Sequence, residues 1–328
     1  MSIRKQVIIF GATGNVGMYV IDYCFEHLDK REFDLIAVGR KEKQFFSENN
    51  IKFISVDISK NSDFEKLPKD NVFAVVFMAA QLPTHESFVQ PERFVMTNIL
   101  GCLNILEYCR KVKAEKIIYT HTMSNIAATF GKEPVIKPRI PKNFSYRGDH
   151  SMYVISKNTG EELIEHYYQE FGLKKFVLHL PTVYQYRRNR FWYVNGVKKF
   201  RTFHRFIDLA IDGEPLEMWG NPNSYRDMVY VKDFGQLVHL SILSNRDEGY
   251  YNVGTGIPTT LKEILEGIVN VFSPKERLSQ IIAMPEKSNT PSYVLDIQNA
   301  RDELGYEPKY TYRDLLLDYK KTMELDKY

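Results

Sequence analysis

Cysteine is scarce: Cys24, Cys102 and Cys109 are the only three in 328 residues. The number is odd, none stands in Cys-x-x-Cys spacing, and all lie in segments of helical period. That argues against a disulfide framework or a zinc site and for buried free thiols in a reducing compartment. Long apolar runs are also missing. No stretch approaches the ~18 residues of a membrane span, and the one that follows MSIRKQ is too short for a secretory signal. The expectation is a cytoplasmic protein without a membrane partner. Excess charge is absent as well: 44 Lys and Arg against 41 Asp and Glu leave a formal net charge of +3, too weak a field to imply nucleic acid or anionic lipid. There is no internal repeat or low-complexity tract. With 44% hydrophobic and 26% charged residues, the composition is that of a folded chain with one large or two moderate domains.

What is present is a rhythm. Apolar β-rich runs (VIIF, DLIAVG, IKFISVD, NVFAVVFMA, KIIYT, KKFVLHL) alternate with segments of helical period at about 16–27, 91–112 and 151–171. Continuous apolar strands between helices predict a parallel sheet covered on both faces, an α/β doubly wound Rossmann-type fold. Beyond residue 180 the rhythm changes to a basic aromatic stretch, a helix near 206–211, another at 260–272, and the closing LDIQNARDELGYEP. The expected division is 1–180 for the Rossmann domain and 181–328 for a smaller C-terminal α/β domain, with a segment near 225–255 returning to the main sheet. EPVIKPRIP, 133–141, reads as a surface loop.

GATGNVG directly follows the first strand and opens a helix. Gly11, Gly14 and Gly17 allow a tight turn and close backbone approach, and the helix amides then hold a pyrophosphate. The preceding strand and following βαβ rhythm favour a dinucleotide site, formed with Thr13, Asn15 and Val16, over a purely structural glycine turn. The second strand ends in Val38, Gly39 and Arg40, where an acidic residue would grip a ribose 2′-hydroxyl. Glycine and arginine leave room and positive charge for a 2′-phosphate, so NADP is expected, with NAD as the alternative and a solvated Arg40 as the plain reading. Asp57, after the third strand, is placed to accept a hydrogen bond from an adenine amino group. YVISK sets Tyr153 and Lys157 one helical turn apart, on one face. By itself that spacing is as compatible with an ordinary helix as with an acid–base pair.

Taken together, GATGNVG, VVFMAA at 75–80, TNILGCLNILE around Asn98, YVISKNTGE at 153–161, LPTVY before Tyr184, SYRDMVYVKD at 224–233, YNVGTG at 251–256 and the closing LDIQNARDELGYEP resemble the extended short-chain dehydrogenase/reductase family, of the NAD-dependent epimerase/dehydratase type. The resemblance runs nearly end to end. It implies that Tyr153 exchanges a proton with a sugar hydroxyl or carbonyl while hydride passes to or from a nicotinamide. Lys157 would bind the nicotinamide ribose and lower the tyrosine pKa, and Thr122, with Ser124 as alternative, would orient the reacting oxygen. It places Ile58, Met78, Ala79, Ala80, Asn98 and Pro181 against the cofactor, and Thr122, Ser124, Thr182 and Arg226 against the substrate. Arg226 would meet a diphosphate; an ion pair with Asp227 is its structural alternative. His179, where the family has an arginine, reads as a buried, satisfied histidine. No metal is implied, and pairing of the two long helices would give a homodimer.

Departures from the family narrow the chemistry. Its 4,6-dehydratases carry an acidic pair after the threonine, whereas this chain has Met123 and Ser124, which disfavours dehydration. PEKSNTPSY, at 285–293, lacks the arginine that usually meets the nucleotide, so uridine is not implied. The basic segment 187–205 would fold over a diphosphate; an RNA surface is its competing reading. The expected function is a nucleotide-sugar epimerase inverting C4 through a bound nicotinamide dinucleotide. The alternatives are an NADPH-dependent 4-keto-sugar reductase and, in another class, a non-catalytic dinucleotide-sensing or RNA-binding relative.

Overall fold

The computed structural model describes residues 4–85 and 90–328. The first half alternates β1 (Lys5–Phe10), α1 (Asn15–His27), β2 (Phe33–Gly39), α2 (Gln44–Glu48), β3 (Lys52–Ser55), β4 (Val72–Phe77), α3 (Pro91–Phe94), α4 (Gly101–Val112), β5 (Lys116–Thr122), a short β6 (Val135–Ile136), α5 (Ser151–Phe171) and β7 (Lys174–Leu180). A π-helical turn, Val95–Leu100, joins α3 to α4. The second half holds the hairpin β8 (Phe191–Val194) and β9 (Val197–Phe200), α6 (Thr202–Ile211), β10 (Leu216–Trp219), β11 (Tyr225–Asp227), α7 (Val231–Leu243), β12 (Glu248–Asn252), β13 (Pro258–Thr260), α8 (Leu261–Phe272), β14 (Ile281–Met284), β15 (Val294–Leu295), α9 (Gln298–Leu304) and α10 (Tyr312–Leu325).

Seven strands form one parallel sheet in the order β12-β7-β5-β4-β1-β2-β3. The apolar run of β1 has no polar face because both sides are covered. Val7 and Ile9 join the core shared with α1 and α7, and Ile8 and Phe10 the core shared with α4 and α5. Each such fully buried side chain contributes roughly 1.5–3 kcal/mol of transfer free energy. The strand order reverses between β1 and β4, which opens a crevice at the carboxyl ends of the strands, where open α/β sheets bind ligands.

The rest of the chain is not a simple appendage. β12 pairs with β7 at the sheet edge and α7 packs on α1, while α6, α8, α10 and the parallel pair β10–β14 build a smaller unit. α8 starts at a capping box in which Thr260 and Glu263 satisfy each other's backbone amides. The final residues return to the first helix: the Tyr328 ring lies 3.9 Å from that of Tyr19, and Lys327 pairs with Asp22 at 2.6 Å. The expected loop at 133–141 needs correction. Val135–Ile136 pairs in parallel with Val294–Leu295, and Ile136 is buried in the core while its carbonyl accepts from Asn252 Nδ2. The three cysteines are buried free thiols. Among the described residues, no helix is long and apolar enough to cross a membrane.

Candidate active site

The loop after β1 is shaped by two glycines. Gly11 has φ +86°, and a Cβ there would stand 2.5 Å from the Ala79 amide nitrogen; at Gly17 it would stand 2.1 Å from the Gly11 carbonyl oxygen. Both contacts are impossible for any other residue, so α1 begins hard against β1 and β4. The helix enters through Gly14 without a side-chain cap and without an acidic residue in its first turn. Its first amides therefore point, unsatisfied and with the positive end of the helix dipole, into the crevice. That suits an anion such as a diphosphate.

The crevice is a cavity of about 510 Å³. Gly11, Thr13, Gly14, Asn15, Val16 and Gly17 line its phosphate end, Arg40, Asp57 and Ile58 one side, and Met78, Ala79 and Ala80 its floor. Thr122, Tyr153, Lys157, Pro181 and Thr182 close the other end. Asp57 Oδ1 accepts from the Ser59 amide and hydroxyl. Arg40 is exposed at the rim. Gly39 has a role that the sequence did not reveal: a Cβ there would meet the Thr13 side chain at 2.8 Å. A glycine there makes room for Thr13 of the phosphate loop whichever dinucleotide binds, so the expectation of NADP rests mainly on Arg40.

Three expected site residues lie elsewhere. Asn98 is buried behind the cavity. Its Oδ1 accepts from the Gln81 amide, and its Nδ2 donates to the Gln81 carbonyl and to Ser156 Oγ at 2.8 Å. With both amide hydrogens used and Oδ1 accepting from Gln81, it ties the turn after β4 to α5. Ser124 does not line the cavity either; its amide caps Thr122 Oγ1 at 3.1 Å. Arg226 lines a neighbouring cavity of about 610 Å³ with Tyr184, Arg205 and Trp219. Its guanidinium faces the Tyr184 hydroxyl, not Asp227, which is turned inward to accept from Thr255, Gly256 and Leu295.

Thr122 ends β5, and the Tyr153 hydroxyl shares a hydrogen bond with its side chain. Burial pushes the Tyr153 phenol up to about 12, opposed by Thr122. Lys157, one turn on, is 2% exposed, and burial pushes its ammonium down to about 7. Both groups are desolvated, and burial disfavours the charged form of each. A buried ammonium without a carboxylate suits ribose hydroxyls, which accept hydrogen bonds without neutralising it. Together the bare helix end, the glycine cradle and this lysine fit a nicotinamide dinucleotide.

Beneath Thr122 lies a buried cluster that the sequence did not announce. His121 Nδ1 accepts from the Thr122 amide at 2.6 Å, and its Nε2 lies 3.3 Å from Glu161 Oε2. Burial keeps His121 neutral, while against burial the His121 contact and then Lys142 hold Glu161 at about 2. His179 Nε2 meets the Tyr250 hydroxyl at 2.5 Å. The ligand atoms of His121, Glu161 and His179 lie within 4.8 Å of one another. Donors around one zinc ion at ~2.1 Å stand closer than that; His179 is satisfied by Tyr250, while His121 Nε2 and Glu161 Oε2 face each other without a well-formed hydrogen bond.

The family model described as NAD dependent epimerase/dehydratase matches residues 7–254. A Methanocaldococcus jannaschii protein named as a candidate UDP-glucose 4-epimerase is 28% identical over 309 residues, covering 93% of each chain. A dTDP-glucose 4,6-dehydratase of Haemophilus influenzae is 24% identical, covering 93% of this chain and 89% of its own. The crystal structure of a Thermotoga maritima UDP-glucose 4-epimerase with UDP-glucose superposes with a TM-score of 0.75 at 24% identity, covering 98% of this chain and 99% of that one.

Proposed function

Because this chain belongs to the NAD-dependent epimerase/dehydratase family and is an enzyme of that kind, we propose that it is a nucleotide-sugar epimerase that inverts the sugar at C4. The observation that carries the reading is the meeting of Thr122, Tyr153 and Lys157 at one end of the cavity whose other end is the glycine loop. When bound, the nicotinamide supplies a reversible hydride acceptor. Tyr153 moves the proton at the reacting sugar oxygen, which Thr122 orients through its hydroxyl. Lys157 holds the ribose hydroxyls, and there its buried ammonium regains the polar contacts that burial removed.

Arg226, in the adjoining cavity with Tyr184, suits the substrate diphosphate, a role for which a guanidinium fork is well shaped. Met123 and Ser124 offer no acid–base pair beside Thr122, which disfavours elimination of water. The second reading, an NADPH-dependent 4-keto-sugar reductase, is favoured by Arg40 at the rim and by the absence of an acidic residue at the end of β2. Denaturing the purified protein and identifying the released nucleotide tests both. Near-stoichiometric dinucleotide supports the epimerase; an empty protein that takes up NADPH reversibly supports the reductase. A protein that binds neither contradicts both.

The outer faces of the long helices carry Val95, Met96, Leu103 and Phe171, each more than a third exposed. This apolar surface supports a homodimer formed through α4 and α5. The pattern is that of a reducing, cytoplasmic setting, with three unpaired buried thiols.

A further inference from the structure

Two guanidiniums in the cavity wall have no anionic partner among the described residues. Arg187 follows β7, and Arg201 stands at the start of α6. Both line the dinucleotide cavity, and the Nε of each is buried without a hydrogen-bond partner. Among the described residues no ion pair involves either one, whereas their neighbours Arg188 and Arg190 are paired with Asp326 and Asp208. The Gln185 amide beside Arg187 is neutral. With the Gln185 amide turned so that its nitrogen donates to the Val183 carbonyl, its oxygen accepts from Arg187 Nη2 at 2.5 Å.

The local field is correspondingly positive. Burial, followed by repulsion from Arg201, lowers Arg187 to about 10. His204 in α6 is held neutral, down to about 3, by burial and then by Arg187, Arg201 and Arg190. Two desolvated like charges side by side are costly unless an anion joins them. Their supports hold them there all the same. The Arg201 guanidinium lies 5.1 Å from the centre of the Trp192 ring, and its amide bonds the Arg190 carbonyl at 2.8 Å. Trp192 belongs to the β8–β9 hairpin, whose tip is tied to the segment before α5 by the Asn195 amide donating to Asp149 Oδ2 at 3.0 Å.

We propose that Arg187 and Arg201 form a two-guanidinium clamp for a diphosphate in this cavity. The proposal rests on the nucleotide-sugar reading, which supplies two diphosphates of the same chemistry, that of the dinucleotide and that of the sugar nucleotide. Paired forks match phosphate oxygens and replace the solvation that burial removed.

The test is calorimetric titration of wild type, Arg187→Gln and Arg201→Gln with ADP-ribose and, separately, with UDP, dTDP and GDP, alongside thermal melting of each ligand-free protein. The clamp predicts a loss of about tenfold to a hundredfold in affinity on removal of either charge, with melting temperatures equal to or above wild type because an uncompensated buried charge is gone. Weakened ADP-ribose with unchanged nucleoside diphosphate assigns the clamp to the dinucleotide; the converse assigns it to the substrate. Changes below about twofold for every ligand, or lowered melting temperatures with all affinities lost together, overturn the proposal. If wild type itself binds none of these ligands, the nucleotide-sugar reading fails instead.

Discussion

Lys157 Nζ lies 4.0 Å from the centre of the Tyr119 ring, and the hydroxyl of that ring donates to the Lys157 carbonyl at 3.0 Å. One tyrosine of β5 thus fixes a turn of α5 and gives the buried ammonium a π face, a contact that favours the cation without quenching its charge. The arrangement makes Lys157 a group held ready at a cost in stability.

That cost has a sign. The folded pKa is lowered to about 7 from 10.5, so the unfolded chain binds more protons between these values. Stability rises with pH from about 7 to about 10.5, and the penalty is fully present below pH 7. Lys157→Met is therefore expected to stabilise the ligand-free protein at pH 7 by on the order of a few kcal/mol, while weakening dinucleotide binding. Melting curves with and without dinucleotide check both halves. In wild type, ribose contacts favour the charged form, so binding at pH 8 takes up protons. Calorimetry in buffers of different ionisation enthalpy reads that uptake.

Tyr153→Phe removes the proton-carrying hydroxyl and leaves the ring. Turnover is expected to fall by about a hundredfold to ten-thousandfold, with dinucleotide content and melting temperature close to wild type. Steady-state rates together with the nucleotide released on denaturation separate this outcome from a folding defect.

Gly17→Ala places a methyl 2.1 Å from the Gly11 carbonyl. The backbone must yield, costing about 1–3 kcal/mol, and the phosphate loop loses its close approach. Both a lower melting temperature and loss of bound dinucleotide are expected. A variant that keeps its dinucleotide would show that the glycine cradle is not needed for binding.

Leu103→Asp places a charge on the exposed apolar surface of α4. In sedimentation equilibrium the wild type is expected to run as a dimer and this variant as a monomer. Unchanged mass in the variant would move the interface elsewhere.

The parts legible in the sequence were those written in local spacing. GATGNVG declared both the strand end and the helix start, and Tyr153–Lys157 declared a shared helical face. Residues whose meaning depends on packing were not legible. Arg187, Arg188, Arg190 and Arg201 belong to one basic stretch, yet two turn outward to carboxylates and two turn into the cavity. Gly39 looked like space for a phosphate and is space for Thr13. Asn98 is consumed by Gln81 and Ser156, contacts 17 and 58 residues away in sequence. The His121–Glu161 contact joins β5 to α5 across 40 positions with no local pattern to mark it.

The central claim, hydride leaving and returning at one sugar carbon, is most directly tested by proton NMR of UDP- and dTDP-hexoses incubated with the enzyme in deuterium oxide. The account predicts the C4 epimer with its original hydrogen still on C4, because the hydride is held by the dinucleotide and never exchanges with solvent. Deuterium at C4, or no epimer from any nucleotide sugar offered, would contradict it.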